Sequence, residues 1–309
     1  MAYTPLVIAF TPNYFIPAAV TISSLLRAAK SDSKFEIICL LSEDLPQWQI
    51  DELSKLTGDR AKFTFVNLKG KLGDVYVDER YTEAASYRLL LPELLLNYDK
   101  ILYIDCDVVV RQDLAALYNS VDLSGYYLAG VFEATLDHQV KHMKEISCID
   151  GKYINSGFLI MNLALMRRDG MSKKLLDALK VDYLEFPDQD ALNMVCNGRI
   201  LGLPPVYNGI RTFFLPQYKR NFLKYYNQED WEKVQRSATI HYTGGKPWDI
   251  FTVKFNEWWN EYDRLPKSIK AKTTVNKKML RLHNLTKSKI GSALVNFALN
   301  TYRKLKYQA

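Results

Sequence analysis

The sequence predicts an α/β fold with a largely parallel β-sheet. Short apolar runs alternate with segments of helical spacing through the first 120 residues, a pattern typical of strand–helix–strand units. No internal repeat and no Gly/Ser- or Pro-rich linker divides the 309 residues, which indicates one large domain. With 48% hydrophobic and 24% charged residues, the composition excludes a disordered, collagen-like or multi-span membrane chain.

Local signals delimit the predicted elements. Residues 6–10 form an apolar run that ends at a Thr-Pro-Asn turn, and Pro17 suits the first turn of the following helix. Pro92 is expected to break or kink a mainly helical stretch. We predict strands at 6–10, 35–41, 62–68, 100–104, 126–132 and 153–161, and helices at 17–30, 46–56 and 82–98.

Positive charge is concentrated at the end of the chain. Residues 264–309 contain twelve of the 41 Lys and Arg residues and none of the 34 Asp and Glu residues, so residues 1–263 carry a net charge of −5. We therefore expect a globular domain, 1–263, and a basic tail, 264–309, whose residues 290–307 place apolar side chains on one helical face. This pattern favours an anionic membrane surface. No nucleic-acid-binding motif is present, so nucleic acid is not expected as a partner, and a solvated tail is the remaining alternative.

The cysteine pattern favours a reducing compartment. The four cysteines form no CxxC pair, and three of them lie in apolar runs, where a thiol behaves as a small hydrophobic side chain. A disulfide framework or a structural zinc site is therefore not expected. No secretory signal is visible, and no run of about 18 apolar residues predicts a membrane-spanning helix. These observations favour a cytoplasmic protein.

Two carboxylates follow the predicted strand at 100–104. Asp105 and Asp107 are two positions apart, so in extended backbone they project to the same side, at the edge of the sheet where α/β proteins bind ligands. Their charges would repel each other unless a cation lay between them, and hard oxygen ligands suit Mg²⁺ or Mn²⁺. Asp-x-Asp also occurs by chance, and residues 188–190 are a second instance. The apolar flanks of the first instance make a plain core strand costly and favour a site.

Two further segments combine polar groups with glycine. Residues 241–248 supply the His241 imidazole, the Gly244-Gly245 backbone and the Lys246 ammonium, a set that suits a metal-bound diphosphate. A surface turn is the alternative. Residues 155–157, Asn-Ser-Gly, interrupt an apolar strand and suit the close approach of a hydroxyl-rich ligand, with a β-bulge as the alternative.

Together these residues resemble glycosyltransferase family 8, in particular its bacterial galactosyl- and glucosyltransferases of lipopolysaccharide or surface-glycan assembly. The similarity covers roughly residues 3–263 and rests on the order of the matches rather than on any single one. The matches are Asn13-Tyr14 after the first strand, Ser86-Tyr87-Arg88, Asp105-Cys106-Asp107, Asn155-Ser156-Gly157, Asp188-Gln189-Asp190, and the segment from His241 to Trp248.

The resemblance implies a GT-A fold with a mixed sheet, a Mn²⁺ cofactor (Mg²⁺ is the other candidate), a UDP-sugar donor, and transfer with retention at the anomeric carbon. It implies metal ligands at Asp105, Asp107 and His241. The implied donor contacts are the metal-binding Asp105 and Asp107 together with Thr11, Asn13, Tyr14, Arg88, Cys106, Glu133, Asn155, Ser156, Asp188, Gln189, Gly244, Gly245 and Lys246. The family usually has an acidic residue directly before Asn-Tyr, where this chain has Thr11-Pro12, so uracil recognition is expected to be altered.

Two mechanisms stay open at this point. Asp188 could attack the anomeric carbon, with Gln189 offering a carbonyl oxygen to the developing positive charge. Alternatively, the departing phosphate could help to deprotonate the acceptor hydroxyl in a front-face displacement. Asp188 after Pro187 also fits a helix N-cap.

We expect a hexosyltransferase that acts on an oligosaccharide or glycolipid acceptor at the inner face of the membrane. A protein-glycan or self-glycosylating transferase is the nearest alternative, and a non-enzymatic polyanion or nucleic-acid binder is the alternative from another class. No GxGxxG motif follows the first strand, which argues against a nicotinamide enzyme or an epimerase.

Overall fold

The computed structural model describes residues 3–72, 83–148, 152–293 and 295, and it confirms the predicted α/β fold. The strands are β1 Thr4–Phe10, β2 Phe35–Leu41, β3 Ala61–Asn67, β4 Lys100–Asp105, β5 Val108–Val109, β6 Leu128–Phe132, β7 Ile154–Asn162, β8 Ile200–Gly202 and β9 Ile240–His241. Seven of them form a mixed sheet in the order β3-β2-β1-β4-β7-β6-β8, and β5 pairs with β9 in a second, small sheet.

The direction of β7 determines where the site forms. β3, β2, β1 and β4 pair in parallel, whereas β7 runs antiparallel to both β4 and β6. The carboxyl ends of β1 and β4 therefore meet the amino end of β7 at one edge of the sheet. The pairing of β7 with β4 stops at Phe158, so residues 155–157 extend past it toward that edge. The pairing of β6 with β7 shifts register between Gly130 and Phe132, whose partners are Leu159 and Ile154, so the irregularity on β7 falls at residues 155–157. The β-bulge considered for these residues is therefore present, and it lies at the same edge of the sheet.

Helices cover both faces of the main sheet. They are α1 Phe15–Ala28, α2 Gln47–Thr57, α3 Glu83–Ser86, α4 Leu91–Leu94, α5 Leu114–Ser120, α6 Val140–Glu145, α7 Leu163–Arg168, α8 Met171–Ala178, α9 Pro187–Val195, α10 Lys219–Phe222, α11 Gln228–Ser237, α12 Phe255–Arg264, α13 Lys267–Lys272 and α14 Lys277–Thr286. Because successive strand side chains alternate in direction, Leu6 and Ile8 of β1 join the core under α1 and α12, while Val7 and Ala9 join the core under α4 and α7–α9.

The predicted helix at 82–98 is divided. Its first residue lies outside the described residues, α3 ends at Ser86, a 3₁₀ helix covers Tyr87–Leu90, and α4 follows. Pro92 lies in the first turn of α4, where a missing N–H group breaks no intrahelical hydrogen bond. The interruption therefore comes before Pro92, and the proline starts a helical turn instead of ending one.

The segment after the expected boundary at residue 264 continues as helices packed on the rest of the chain. Ile269 of α13 is fully buried, and the ring of His283 in α14 stacks on Trp259 with centroids 5.8 Å apart. Ser268 donates a hydrogen bond to Glu52 of α2 at 2.6 Å. The predicted interfacial helix at 290–307 lies mostly outside the described residues. No helix within the described ranges has the length and apolar character needed to cross a bilayer.

Candidate active site

A two-lobed cleft opens at the sheet edge where β1 and β4 end and β7 begins. The first lobe has a volume of about 290 Å³ and the second about 420 Å³. Both lobes are lined by Ala85, Arg88, Asp105, Asp107 and Lys246. The acidic turn after β4 therefore lies where the two lobes meet.

Asp105, Asp107 and His241 converge at this junction. One possible ligand atom from each lies within 4.8 Å of the others, with His241 Nε2 3.3 Å from Asp107 Oδ1 and 3.6 Å from Asp105 Oδ2. Asp107 Oδ1 is buried and accepts no hydrogen bond from the residues that the structure describes. Carboxylate oxygens and an imidazole nitrogen suit a divalent cation such as Mn²⁺. The three side chains expected as ligands thus lie together and fit such an ion.

Strand pairing and two buried hydroxyl groups position the acidic turn. Val108 of β5 pairs with His241 of β9, which brings the imidazole opposite the turn. The hydroxyl of Thr21 in α1 lies 2.7 Å from the carbonyl oxygen of Val108 and donates to it. Ser24 Oγ accepts the N–H of Val110 at 2.9 Å. The backbone of the turn is therefore held against α1 by polar contacts inside the apolar core.

Arg88 links the acidic turn to the second lobe. Arg88 is only 2% exposed, and its guanidinium donates to Asp105 Oδ1 at 2.9 Å and forms an ion pair with Asp188 at 3.2 Å. The guanidinium carbon of Arg88 lies 4.5 Å from the centroid of the Tyr103 ring. The hydroxyl of Tyr103 donates to Asp105 Oδ1 at 3.0 Å. Burial opposes the charged form of Arg88, but the neighbouring carboxylates outweigh it and raise its pKa above the ordinary value.

Lys246 contacts the other aspartate of the acidic turn, Asp107. Its ammonium forms an ion pair with Asp107 and donates to the carbonyl oxygen of Tyr242 at 2.8 Å. Burial opposes ionisation of Asp107, but the Lys246 ammonium and the neighbouring His241 outweigh it and hold the pKa of Asp107 well below its usual range. The Asp107 carboxylate is therefore ionised and available to a cation at neutral pH.

The glycine pair before Lys246 shapes the loop that closes this side of the cleft. Gly244 lines the second lobe with φ at +90°, a conformation that glycine adopts without strain. A Cβ atom on Gly245 would lie 2.4 Å from Cδ1 of Ile250, so the loop packs closely there. Gly245 lines neither lobe, and its role is in the close packing of the loop.

Amide and carboxylate side chains form the polar wall of the second lobe. Gln189 Oε1 accepts the backbone N–H of Ser156 at 2.9 Å and the Asn155 amide at 3.0 Å. Gln189 Nε2 donates to Glu133 at 3.2 Å, and Ser156 Oγ donates to Asp188 at 3.0 Å. Burial raises the pKa of both Asp188 and Glu133 above their ordinary values. The family resemblance implies all five of these residues as donor contacts, and the fold brings them together.

The N-cap interpretation of Asp188 is wrong. Phe186 occupies the N-cap position of α9, Pro187 is the first helical residue, and Asp188 lies within the first turn without capping the helix. The helix begins at Pro187 without a side-chain cap, and the Asp188 carboxylate contacts Arg88 and Ser156 instead.

The first lobe contains part of the motif that follows β1. Thr11 and Tyr14 line it together with Cys106, and the ring of Tyr14 packs edge-to-face on Trp248 with centroids 5.9 Å apart. Asn13 is exposed and lines neither lobe, so the structure does not bring this expected donor contact into the cleft.

Several lining residues were not found by sequence reasoning. Tyr103 could have been found, because it lies two positions before Asp105 and shares its strand face. The others carry no local signal, since their segments approach the cleft only in the folded chain. They include Ala85, Phe186, Ile210 and Thr212 in the lobes, and Asn208 behind His241.

Comparison with known proteins gives a consistent result. The profile of "Glycosyl transferase family 8" matches residues 5–251. A lipopolysaccharide 1,2-glucosyltransferase of Escherichia coli (strain K12) is 30% identical over 250 residues, which cover 78% of this chain and 71% of that protein. General stress protein A of Bacillus subtilis (strain 168) is 31% identical over 179 residues, which cover 55% of this chain and 61% of that protein.

The fold has a solved counterpart. The galactosyltransferase LgtC, in complex with donor and acceptor sugar analogs, superposes with a TM-score of 0.71 at 24% identity, covering 87% of this chain and 100% of that chain. This likeness confirms the GT-A fold. Because the family profile spans most of the chain, the chain belongs to glycosyltransferase family 8 and is an enzyme that transfers sugars.

Proposed function

We propose that the chain is a retaining, metal-dependent hexosyltransferase of lipopolysaccharide or other surface-glycan assembly. It transfers galactose or glucose from a UDP-sugar to a hydroxyl group of an oligosaccharide or glycolipid acceptor. The observation that carries the proposal is the junction of Asp105, Asp107 and His241 between two lobes of one cleft. The names of its relatives, a lipopolysaccharide glucosyltransferase and a galactosyltransferase, support the choice of hexose and acceptor class.

The two lobes suggest how the donor lies. The first lobe, with Thr11 and Tyr14, takes the nucleotide, and an aromatic ring there suits stacking on a base. The second lobe, with its amide and carboxylate wall, takes the sugar, whose hydroxyl groups need both donors and acceptors. The diphosphate then spans the junction beside Lys246, where the positive charge of the cleft is concentrated.

The residues at the junction would stabilise the leaving group. When bound to Asp105, Asp107 and His241, Mn²⁺ or Mg²⁺ would neutralise charge on the diphosphate. Lys246 exchanges its contact with Asp107 for the diphosphate, and the nearby Gly244 backbone approaches the same group without steric hindrance. The bond between the anomeric carbon and the diphosphate oxygen breaks, a bond to the acceptor oxygen forms, and the acceptor proton leaves with the released UDP or through solvent.

The polar wall supports two routes to retention. Asp188 is held by Arg88 and Ser156 at the first turn of α9, a position from which a carboxylate faces the sugar lobe. Gln189 has its carbonyl oxygen engaged by Ser156 and Asn155, and this favours a role in holding the sugar over direct attack. A front-face displacement needs neither group as nucleophile, so a trapped glycosyl-enzyme on Asp188 is the observation that separates the routes.

The basic C-terminal segment supports a membrane-surface location. Residues 264–309 contain twelve basic residues and no acidic one, and three of the basic residues lie in α14. We propose that it holds the enzyme at the inner, anionic face of the membrane, where a glycolipid acceptor lies.

A donor screen tests the proposed function. Release of UDP or GDP is measured for UDP-Gal, UDP-Glc, UDP-GlcNAc and GDP-Man, each with EDTA and with added Mn²⁺ or Mg²⁺. We expect release from UDP-Gal or UDP-Glc only with the divalent ion. Release that EDTA leaves unchanged, or that occurs only from GDP-Man, would contradict the proposal. Intact mass measured after incubation with the donor detects transfer to the protein itself.

A further inference from the structure

Asn208 lies between the metal cluster and the polar wall of the second lobe. Its side chain is fully buried, with Oδ1 3.1 Å from His241 Nδ1 and Nδ2 3.0 Å from Asn155 Oδ1. Its backbone is fixed by the next residue, because Gly209 exchanges hydrogen bonds with Thr239 at 2.8 Å and His241 at 3.0 Å. The amide of Asn208 therefore has a fixed place between a predicted metal ligand and a predicted sugar contact.

The direction of this hydrogen-bond chain follows from a backbone donor. The N–H of Gly157 can only donate, and it lies 3.1 Å from Asn155 Oδ1, which must be an acceptor. The Asn208 atom facing that oxygen is therefore the amide nitrogen, and the atom facing His241 is the carbonyl oxygen. His241 Nδ1 must then carry a proton and donate it to Asn208. A neutral His241 consequently has its lone pair on Nε2, the atom that faces Asp105 and Asp107.

The other end of the chain reaches Gln189. Asn155 Nδ2 donates to Gln189 Oε1 at 3.0 Å, and the backbone N–H of Ser156 donates to the same oxygen at 2.9 Å. Two backbone donors, on Ser156 and Gly157, thus fix the orientation of Asn155, and Asn155 fixes that of Asn208. Along the buried path from His241 to Gln189, each side chain therefore donates a hydrogen bond to the next.

We propose that Asn208 is a positioning residue with two separable roles, which rests on the function proposed above. Its carbonyl oxygen orients the imidazole of His241 so that Nε2 is presented to the divalent ion, and outer hydrogen bonds of this kind tune metal affinity. Its amide N–H holds Asn155, and through Asn155 the carbonyl of Gln189, against the transferred sugar. Neither role was apparent from the sequence.

Two variants separate the two roles. Asn208→Asp keeps an oxygen acceptor for His241 but places an oxygen against Asn155 Oδ1. We expect Mn²⁺ to bind it within about threefold of the wild type or more tightly, while kcat falls at least tenfold. Asn208→Ala removes both contacts, and we expect its Mn²⁺ dissociation constant to rise about 10- to 100-fold. Mn²⁺ affinity is measured by electron paramagnetic resonance without donor, and kcat with saturating donor and Mn²⁺.

These variants have one matched control, and three results would overturn the proposal. Asn162→Asp makes the same chemical change at the end of β7 far from the cleft, where Asn162 accepts from Leu165 and donates to Leu123. It should change neither Mn²⁺ affinity nor kcat. The proposal is overturned if Asn208→Asp loses Mn²⁺ affinity as Asn208→Ala does, if Asn208→Asp keeps full turnover, or if Asn208→Ala binds Mn²⁺ as the wild type does. The near-isosteric Asn208→Asp decides the question even if Asn208→Ala does not fold.

The Mn²⁺ measurements need no sugar donor. A wild-type chain that binds Mn²⁺ but transfers none of the tested sugars would refute the proposed donor, and the affinity of the variants would still test the role of Asn208. A wild-type chain without Mn²⁺ affinity would overturn both the metal dependence and the orienting role.

Discussion

A Cβ atom on Gly157 would lie 2.2 Å from Cε1 of His241, and 2.5 Å from an oxygen of Asp105. The amino end of β7 therefore passes so close to the metal cluster that only glycine fits. We expect Gly157→Ala to displace His241 and to weaken Mn²⁺ binding by at least tenfold. Electron paramagnetic resonance titration of free Mn²⁺ measures the change, with circular dichroism to confirm that the fold persists.

Gly125→Ala is the matched control for this prediction. Gly125 has φ at +82° and open space around its Cβ position, so an alanine there costs about 1–2 kcal/mol of backbone strain without touching the cleft. Its Mn²⁺ affinity should equal that of the wild type. Unchanged Mn²⁺ affinity in Gly157→Ala would mean that the imidazole is not a ligand in the position seen here.

The sequence was sufficient where a residue's role depends on its own strand. The apolar run before Asp105 predicted both β4 and an acidic turn at the correct edge of the sheet. It was insufficient where position depends on distant pairing. His241 reaches Asp107 because β9 pairs with β5, and Asn208 reaches His241 because residue 209 bridges to β9. No local pattern encodes these contacts, and they were predicted only where the family resemblance supplied them.

Lys246→Met tests separately the two groups that we expect the Lys246 ammonium to contact, Asp107 and the diphosphate of the donor. The ion pair with Asp107 competes with a divalent ion for the same carboxylate, so its removal should leave Mn²⁺ affinity without donor unchanged or tighter. The loss of the counter-charge for the diphosphate should lower kcat/KM for the UDP-sugar by about 10²- to 10³-fold.

Lys254→Met is the control, because Lys254 donates to the carbonyl oxygen of Gln235 and lies outside both lobes. It should keep wild-type kcat/KM. If Lys246→Met loses Mn²⁺ affinity and turnover in equal measure, the lysine supports the metal cluster and not the leaving group.

Gln189→Ala tests the role of the amide in the second lobe. The variant removes the acceptor that holds Asn155 and the N–H of Ser156, while the first lobe is unchanged. We expect kcat to fall about 10²-fold and the dissociation constant for UDP, measured by calorimetry, to stay within about threefold. A loss of UDP affinity without a loss of kcat would place Gln189 at the nucleotide. Gln235→Ala, on α11, is the matched control and should alter neither quantity.

Two truncations separate membrane binding from stability. A chain ending at residue 288 keeps α14, whose His283 stacks on Trp259 and hydrogen-bonds Asp263 at 3.0 Å. We expect it to retain UDP-sugar hydrolysis and melting temperature but to bind anionic liposomes at least tenfold more weakly. A chain ending at residue 269 also loses α14 and the last three residues of α13, and its melting temperature should fall by several degrees. Liposome sedimentation that does not differ between the full chain and the first truncation would refute the anchor at 290–307.

Glu52→Gln tests the attachment of α13 through its pH dependence. A hydrogen bond from Ser268 lowers the pKa of Glu52, so the folded chain favours the ionised carboxylate. This stabilisation is complete above the ordinary glutamate pKa of about 4.3 and is lost as the pH falls through the lower folded-state value. At pH 7 the variant should therefore melt below the wild type, because glutamine can still accept from Ser268 but lacks the charge that strengthens this hydrogen bond and pairs with Lys272. The difference should shrink as the pH falls below about 4, because the wild-type carboxyl group is then neutral as well.

The control is Glu43→Gln, at an exposed position, which should melt like the wild type at either pH. If the melting temperature of Glu52→Gln stays below that of the wild type in acid, the shape of the side chain, and not its charge, holds α13 in place.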